Sequence, residues 1–241
     1  MRIKERIRDT VAGFTTGNQK QDGKNALHRL IDKRDEYHDL DSRVSQLIEK
    51  HPDILHEKDE QGRTPLRHAC QAALESGPYG IGSLHDAIKH MAEHGAAFNE
   101  PDNEGVTPLH AIAGAGMSGS NLFRCALEEH GGDIHLKDAI GQTPLHYICK
   151  YCENAGWHDT LKDAIRIAID HGADLSTTDN QGRTPTDLLP DELCLNPGAR
   201  PAEDMKQFAR DYAKEVQNMG RAEQSAPHLS DQNPPANDMD R

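Results

Sequence analysis

The chain has 241 residues, of which 35% are hydrophobic and only 4% aromatic, enough for a sizeable core built from small apolar side chains. Its formal net charge of −13 argues against general binding to nucleic acid or to anionic membranes, because both attract positive surfaces. Five cysteines suggest no disulfide framework and suit a reducing compartment. No long apolar stretch or signal-peptide pattern is visible. We therefore expect a cytoplasmic protein without a membrane span.

The first segment, residues 1–21, is predicted to be a helix followed by a linker. Ile3, Ile7 and Val11 lie at the spacing of one helix face. Such a helix would cap the end of a repeat array by covering its apolar side. A membrane or partner helix is the alternative, but the acidic residues within this short segment favour the cap.

From residue 51 onward, one block of residues recurs four times in the same register. A histidine is followed by an aspartate, then by a glycine, and then by a Thr-Pro pair. Such regular recurrence is an internal repeat. The four copies begin at His51, His94, His130 and His171, with the aspartates Asp59, Asp102, Asp138 and Asp179, the glycines Gly62, Gly105, Gly141 and Gly182, and the pairs at Thr64, Thr107, Thr143 and Thr184.

Each residue type in this block predicts a local structure. Aspartate at the start of a tight turn bonds to nearby backbone, and glycine takes the positive φ that other residues avoid. Threonine followed by proline marks a helix start. The glycine that follows the histidine in three copies predicts the end of the preceding helix.

The block resembles the ankyrin repeat, whose signature is a Thr-Pro-Leu-His helix start. Residues 107–110 and 143–146 match it fully, and the copy at 64–67 differs only at Arg67. A degenerate copy begins at Asn25, and residues 184–189 are similar to a truncated final repeat. The resemblance covers residues 22–190. It implies an all-α solenoid of four to five stacked helix pairs, with helical caps at both ends.

The repeats are longer than the period of about 33 residues that the ankyrin family shows. The additional residues lie between the helix start and the histidine, which places them in the loop between the two helices of each repeat. Tyr37, Tyr79 and Trp157 occupy the three longest of these inserts. Two predictions stay open: a row of aromatic side chains that binds a partner, or separate rings that each cover their own helix pair.

Beyond the array, residues 191–220 are predicted to contain a capping helix. Acidic residues follow Pro201, which favours a helix start, and apolar residues recur at helical spacing up to Met219. Gly220 is expected to end the helix. Residues 221–241 are rich in proline, asparagine and aspartate, so we expect a disordered tail.

Two short motifs are similar to chemical sites. His90, Glu93 and His94 match the pattern of the inverted zinc proteases, but His94 is also the repeated histidine of the array, which explains it without catalysis. Cys149 and Cys152 form a single C-x-x-C motif without a second ligand pair. We therefore predict no catalytic residue, no metal site and no cofactor.

The ankyrin resemblance implies a monomeric, non-catalytic module that binds another protein through its turn tips and its concave helix face. The alternatives are a secreted bacterial effector that acts on a host protein inside the host cell, and an enzyme whose pocket the long inserts form. The candidate contact residues are Gln61, Arg63, Glu104, Val106, Ile140, Gln142, Gln181 and Arg183 at the turn tips, His68, Ala111 and Tyr147 on the first helices and facing outward, and Tyr37, Tyr79 and Trp157 in the inserts.

Overall fold

A computed structural model describes residues 22–76, 82–115, 119–151, 158–190 and 201–225. These residues form nine α-helices and no strand, which confirms the all-α prediction for this part of the chain. Short 3₁₀ helices cover Arg34–Glu36, Pro52–Leu55 and Pro185–Leu188. The α-helices are α1 Ala26–Asp32, α2 Leu40–Lys50, α3 Pro65–Ser76, α4 Gly82–Glu93, α5 Pro108–Gly114, α6 Gly119–Glu128, α7 Pro144–Lys150, α8 His158–Asp170 and α9 Pro201–Ser225.

The first helix of each pair begins where the Thr-Pro signal predicts. α3, α5 and α7 start at the proline itself, the position where a missing N–H costs nothing. Ahead of α5, the Thr107 hydroxyl accepts the backbone N–H of His110. Asn25 caps α1 in the same way, accepting the N–H groups of Leu27 and His28. The final Thr-Pro pair opens only the 3₁₀ turn Pro185–Leu188.

The helices pack in the order in which they occur along the chain. Each first helix packs on the next one, so α1, α3, α5 and α7 form a row that ends at the 3₁₀ turn Pro185–Leu188. Each first helix also packs on the second helix of its own pair. Among the second helices, α2 packs on α4 and α6 packs on α8.

The core lies between these two sets of helices. The leucines at the start of the first helices are buried, and so are the apolar stripes of the second helices, whose residues recur at helical spacing. Each helix pair buries its apolar residues against the neighbouring pairs. The leucines are Leu27, Leu66, Leu109 and Leu145; the stripes are Val44, Leu47 and Ile48 in α2, Leu84, Ile88 and Met91 in α4, Leu122 and Leu127 in α6, and Leu161, Ile165 and Ile169 in α8.

The C-terminal helix α9 packs on α8, with Met205 and Ala209 fully buried. The helix continues past Gly220 to Ser225, so the prediction that it ends at Met219 was wrong. A single glycine lowers helix stability by only about 1 kcal/mol and does not by itself end a long helix. Residues 221–225 of the predicted disordered tail, 221–241, belong to α9. The rest of that tail and the predicted N-terminal helix and linker, residues 1–21, lie outside the described residues.

Candidate functional site

The turns between repeats are each organised by one aspartate. The Asp59 carboxylate accepts the backbone N–H groups of Gln61 at 3.0 Å and Arg63 at 2.8 Å. Gly62 has a φ of 75°, which lets the chain reverse direction between those two amides. The same two bonds recur at the other three aspartates, which are Asp102, Asp138 and Asp179. The Asp-x-x-Gly prediction is therefore confirmed in all four copies.

Backbone hydrogen bonds join each turn to the next. Asn103 donates its N–H to the carbonyl of Gln61 at 3.0 Å, and Ala139 donates to Glu104 at 2.8 Å. Asn180 donates to Ile140 at 2.9 Å. The carbonyl of a tip residue is thus fixed by the following turn, which makes the row of tips one continuous hydrogen-bonded edge.

The motif histidines tie the first helices to the following turns. Nε2 of His110 donates to the carbonyl of Gln142 at 3.1 Å, which leaves Nδ1 to accept the hydroxyl of Thr107 at 2.7 Å. His28 and His146 make the corresponding bonds to the carbonyls of Arg63 and Arg183. Burial lowers the pKa of His110 to about 4 and also lowers the pKa of His28 and His146. With neutral rings that bond to the following turns, these histidines act as structural links between repeats.

The predicted tip residues divide into exposed and buried sets. Gln61, Glu104 and Gln181 are exposed, and Ile140 exposes 50% of its surface. Arg63 and Arg183 are half-buried because each guanidinium bonds to the aspartate of its own turn. The remaining two, Val106 and Gln142, are buried and offer no contact surface.

The prediction that His68, Ala111 and Tyr147 face outward was wrong, since they expose 8%, 0% and 7% of their surfaces. The neighbouring first helices pack closely enough to cover these positions. The ring of His68 bonds to a carboxylate at the end of α1, with Nε2 donating to Asp32 at 2.7 Å. The Tyr147 hydroxyl donates to Asp138 at 3.0 Å.

Of the three insert aromatics, only Tyr37 belongs to the described residues. Its ring packs against the core, and the Arg43 guanidinium lies 4.2 Å from the ring centre. A ring that covers its own helix pair, the second of the two predictions for the insert aromatics, would make such a contact. Tyr79 and Trp157 lie outside the described residues, so the aromatic row stays a prediction.

A polar groove between α2 and α4 was not predicted, because it depends on the spacing of two helices that are distant in sequence. Its volume is about 510 Å³, and it continues into a second space of about 430 Å³ beside the Arg34–Glu36 turn. Asp41 and Asp86 line both spaces. The first space is lined by Asp41, Ser42, Ser45, Gln46, Asp86, Lys89, His90 and Glu93.

Three features bear on catalysis and metal binding. Burial raises the pKa of the Cys70 thiol to about 12, so this thiol is a core side chain and not a nucleophile. The ring of His94 is hydrogen-bonded to its own helix, with Nδ1 donating to the carbonyl of His90 at 2.9 Å. Within the described ranges, the side chains close enough to share a metal ion are those of Cys125, Glu129 and His130.

The chain matches none of the protein-family models and none of the curated proteins with which it was compared. Of the helices in the described part of the chain, none combines the length and the apolar character that crossing a membrane requires.

Proposed function

We propose that this chain is an ankyrin-type repeat solenoid that binds another protein through its turn tips and catalyses no reaction. The observation that carries the proposal is the side chain of Ile140, half exposed at the tip of a turn whose backbone is fixed on both sides. An exposed apolar residue on a rigid polar edge is a suitable anchor for a protein partner.

The rigidity of the tips supports this role. Ile140 donates its N–H to Asp138 at 3.0 Å, and its carbonyl accepts the N–H of Asn180 at 2.9 Å. Because the backbone is already ordered in the free protein, binding loses little conformational entropy there. The side chain of Ile140 is branched at Cβ and so has few rotamers, which also limits the entropy lost on binding.

The neighbouring tips indicate what kind of partner fits. Glu104 on one side and Gln181 on the other are exposed and polar. Ile140 would enter a small apolar pocket, while the two flanking side chains accept hydrogen bonds at its rim. A partner with an apolar pocket bordered by amide or basic donors fits this arrangement. Because the predicted contact residues on the first helices are buried, the concave face offers a partner less contact surface than the sequence predicts.

The test compares two exposed apolar residues. Met219 on α9 exposes 52% of its surface, so Ile140→Arg and Met219→Arg remove similar apolar areas at different places. Each full-length variant is used to capture partners from a lysate by crosslinking, and the partner captured by the wild-type chain is then titrated. We expect Ile140→Arg to weaken its affinity by tenfold or more, about 1.4 kcal/mol, while Met219→Arg leaves it unchanged. Equal affinity for both variants would exclude the tip surface as the binding site.

A further inference from the structure

Three side chains of types that can bind a metal ion lie close together where α6 ends. Cys125 lies in its last turns, and Glu129 and His130 directly follow the helix. One ligand atom from each residue, a thiol sulfur, a carboxylate oxygen and a ring nitrogen, lies within 4.8 Å of the other two. Cys125 and His130 are half-buried, while Glu129 is exposed.

The third repeat differs from its neighbours at this point. In the second and fourth repeats the helix reaches the residue before the histidine, and Nδ1 of that histidine donates to the carbonyl four residues earlier, from His94 to His90 at 2.9 Å and from His171 to Ile167 at 2.7 Å. In the third repeat α6 ends one residue sooner, at Glu128. The carbonyl of Ala126, four residues before His130, instead accepts the N–H of Gly132 at 2.8 Å.

The ring of His130 contains a buried polar atom that no protein group satisfies. Its Nε2 is shielded from solvent and has no hydrogen-bond partner among the described residues. The ring lies against Phe98, with the ring centres 5.8 Å apart. A buried polar atom without a partner lowers stability, so native proteins rarely keep one without a reason. Coordination of a cation through Nε2 would compensate for that cost.

We propose that Cys125, Glu129 and His130 form a binding site for a divalent transition-metal ion, with zinc as the best fit. Thiolate, imidazole and carboxylate are the three side-chain ligands that Zn²⁺ takes, and a sulfur ligand disfavours Mg²⁺ and Ca²⁺. Tetrahedral zinc places its ligand atoms about 3.5 Å apart, so small side-chain rotations close the site. Water occupies the fourth position, and the Cys125 thiol releases its proton to solvent when the ion binds.

The consequence of metal binding is local stabilisation, independent of the protein-binding proposal. An ion held by Cys125, Glu129 and His130 joins the last turn of α6 to the first residues beyond the helix. Since the folded chain holds the three ligands in one arrangement and the unfolded chain does not, the ion binds the folded state more tightly and raises the melting temperature. The sequence predicts no metal site, and the spacing of Cys125, Glu129 and His130 is not one of the common zinc-ligand patterns.

The experiment is a titration of the full-length, metal-free chain with Co²⁺, which binds zinc sites and absorbs in the near ultraviolet when a thiolate is a ligand. We expect this absorption in the wild-type chain, its displacement by Zn²⁺, and its absence in Cys125→Ser. Losing a residue that only orients a metal ligand costs up to about 100-fold in affinity, and losing the ligand itself should cost at least as much. Glu129→Gln should therefore weaken Zn²⁺ binding by at least about 100-fold. Glu128→Gln, a change at the adjacent exposed residue, should bind as the wild-type chain does.

Zinc should also raise the melting temperature of the wild-type and Glu128→Gln chains but not that of Cys125→Ser. Circular dichroism of the metal-free variants checks that they fold. The proposal is overturned if the wild-type chain shows no thiolate absorption with Co²⁺, or if the absorption survives in Cys125→Ser. Equal Zn²⁺ affinity in the Glu128 and Glu129 variants would also overturn it.

Discussion

The guanidinium of Arg67 donates to the carbonyl of Val106 and pairs with the carboxylate of Asp102, both at 3.0 Å. Histidine occupies this motif position in the neighbouring repeats and bonds to the carbonyl of the next turn without a charge pair. Arg67 keeps that link and adds a charge pair, with both side chains almost completely buried. The departure at Arg67 from the helix-start motif thus preserves the contact between repeats.

Removing this side chain should strongly destabilise the protein. Arg67→Ala leaves the Asp102 charge buried without its partner, and breaking a buried pair in this way costs about 3–5 kcal/mol. The control is Arg124→Ala, which removes an exposed pair with Glu128 and should cost less than about 1 kcal/mol. Urea unfolding of the two variants measures both values. A loss below 1 kcal/mol for Arg67→Ala would show that the buried pair contributes little.

The local structure of the repeats was predictable because it depends on neighbouring residues. Asp59 and Gly62 form their turn through bonds within five residues, and Thr107 caps α5 through a bond to His110. The burial of Tyr147 depends instead on an adjacent helix that is distant in sequence. Residues at one motif position can therefore face solvent or a neighbour, and spacing alone does not distinguish the two cases.

The metal-ligand cluster illustrates the same limit. Its three residues lie close in sequence, but the early end of α6 brings them together, and a sequence pattern locates helix ends poorly. The end of α9 illustrates the same limit, since the helix continues through Gly220 to Ser225 and a single glycine costs only about 1 kcal/mol.

Acid should weaken the fold before most carboxylates titrate. Burial holds the pKa of His110 at about 4 in the folded protein, below the value of 6.5 of an unburied ring. The unfolded chain therefore binds the additional proton, so stability is full above pH 6.5 and falls as the pH decreases towards 4. For His110 alone the loss between pH 7 and pH 5 is about 2 kcal/mol.

The measurement is the free energy of unfolding at several pH values between 7 and 5. His110→Gln should be less stable at pH 7 but should lose less stability on acidification than the wild-type chain does. His51→Gln, a change at an exposed histidine, is the control and should leave the pH profile unchanged. An identical pH profile for His110→Gln and the wild-type chain would show that this ring does not couple protonation to unfolding.

Two tyrosine hydroxyls that donate to aspartates should differ in their contributions to stability. The Tyr147 hydroxyl donates to Asp138 in a buried setting, and burial together with the Asp138 charge raises the pKa of the hydroxyl. The Tyr212 hydroxyl donates to Asp170 at 2.8 Å in an exposed setting. Tyr147→Phe should cost about 1–3 kcal/mol because a hydrogen bond to a buried carboxylate is lost. Tyr212→Phe should cost less than about 0.5 kcal/mol, since water replaces the hydroxyl. Comparable losses in thermal unfolding would contradict the difference in burial.

Two glycines at the same turn position allow the stability cost of contact between successive turns to be measured apart from the cost of backbone strain. Gly141 and Gly182 hold the same turn position, with φ values of 81° and 77°. A Cβ at Gly141 would lie 2.6 Å from the side-chain oxygen of Asn180 and 2.9 Å from its backbone nitrogen, whereas a Cβ at Gly182 meets nothing within 4 Å. Gly182→Ala should therefore cost only the strain of a left-handed residue, about 1–2 kcal/mol.

Gly141→Ala carries the same strain and must also displace Asn180, whose backbone N–H donates to the carbonyl of Ile140. We expect it to cost at least about 1 kcal/mol more than Gly182→Ala, the value of the hydrogen bond between the turns. Chemical denaturation of both variants gives the difference directly. Because the lost bond fixes the carbonyl of Ile140, Gly141→Ala should also weaken partner binding at this tip, while Gly182→Ala should not. If the two variants are equally stable and bind equally well, contact between the turns does not hold the tip in place.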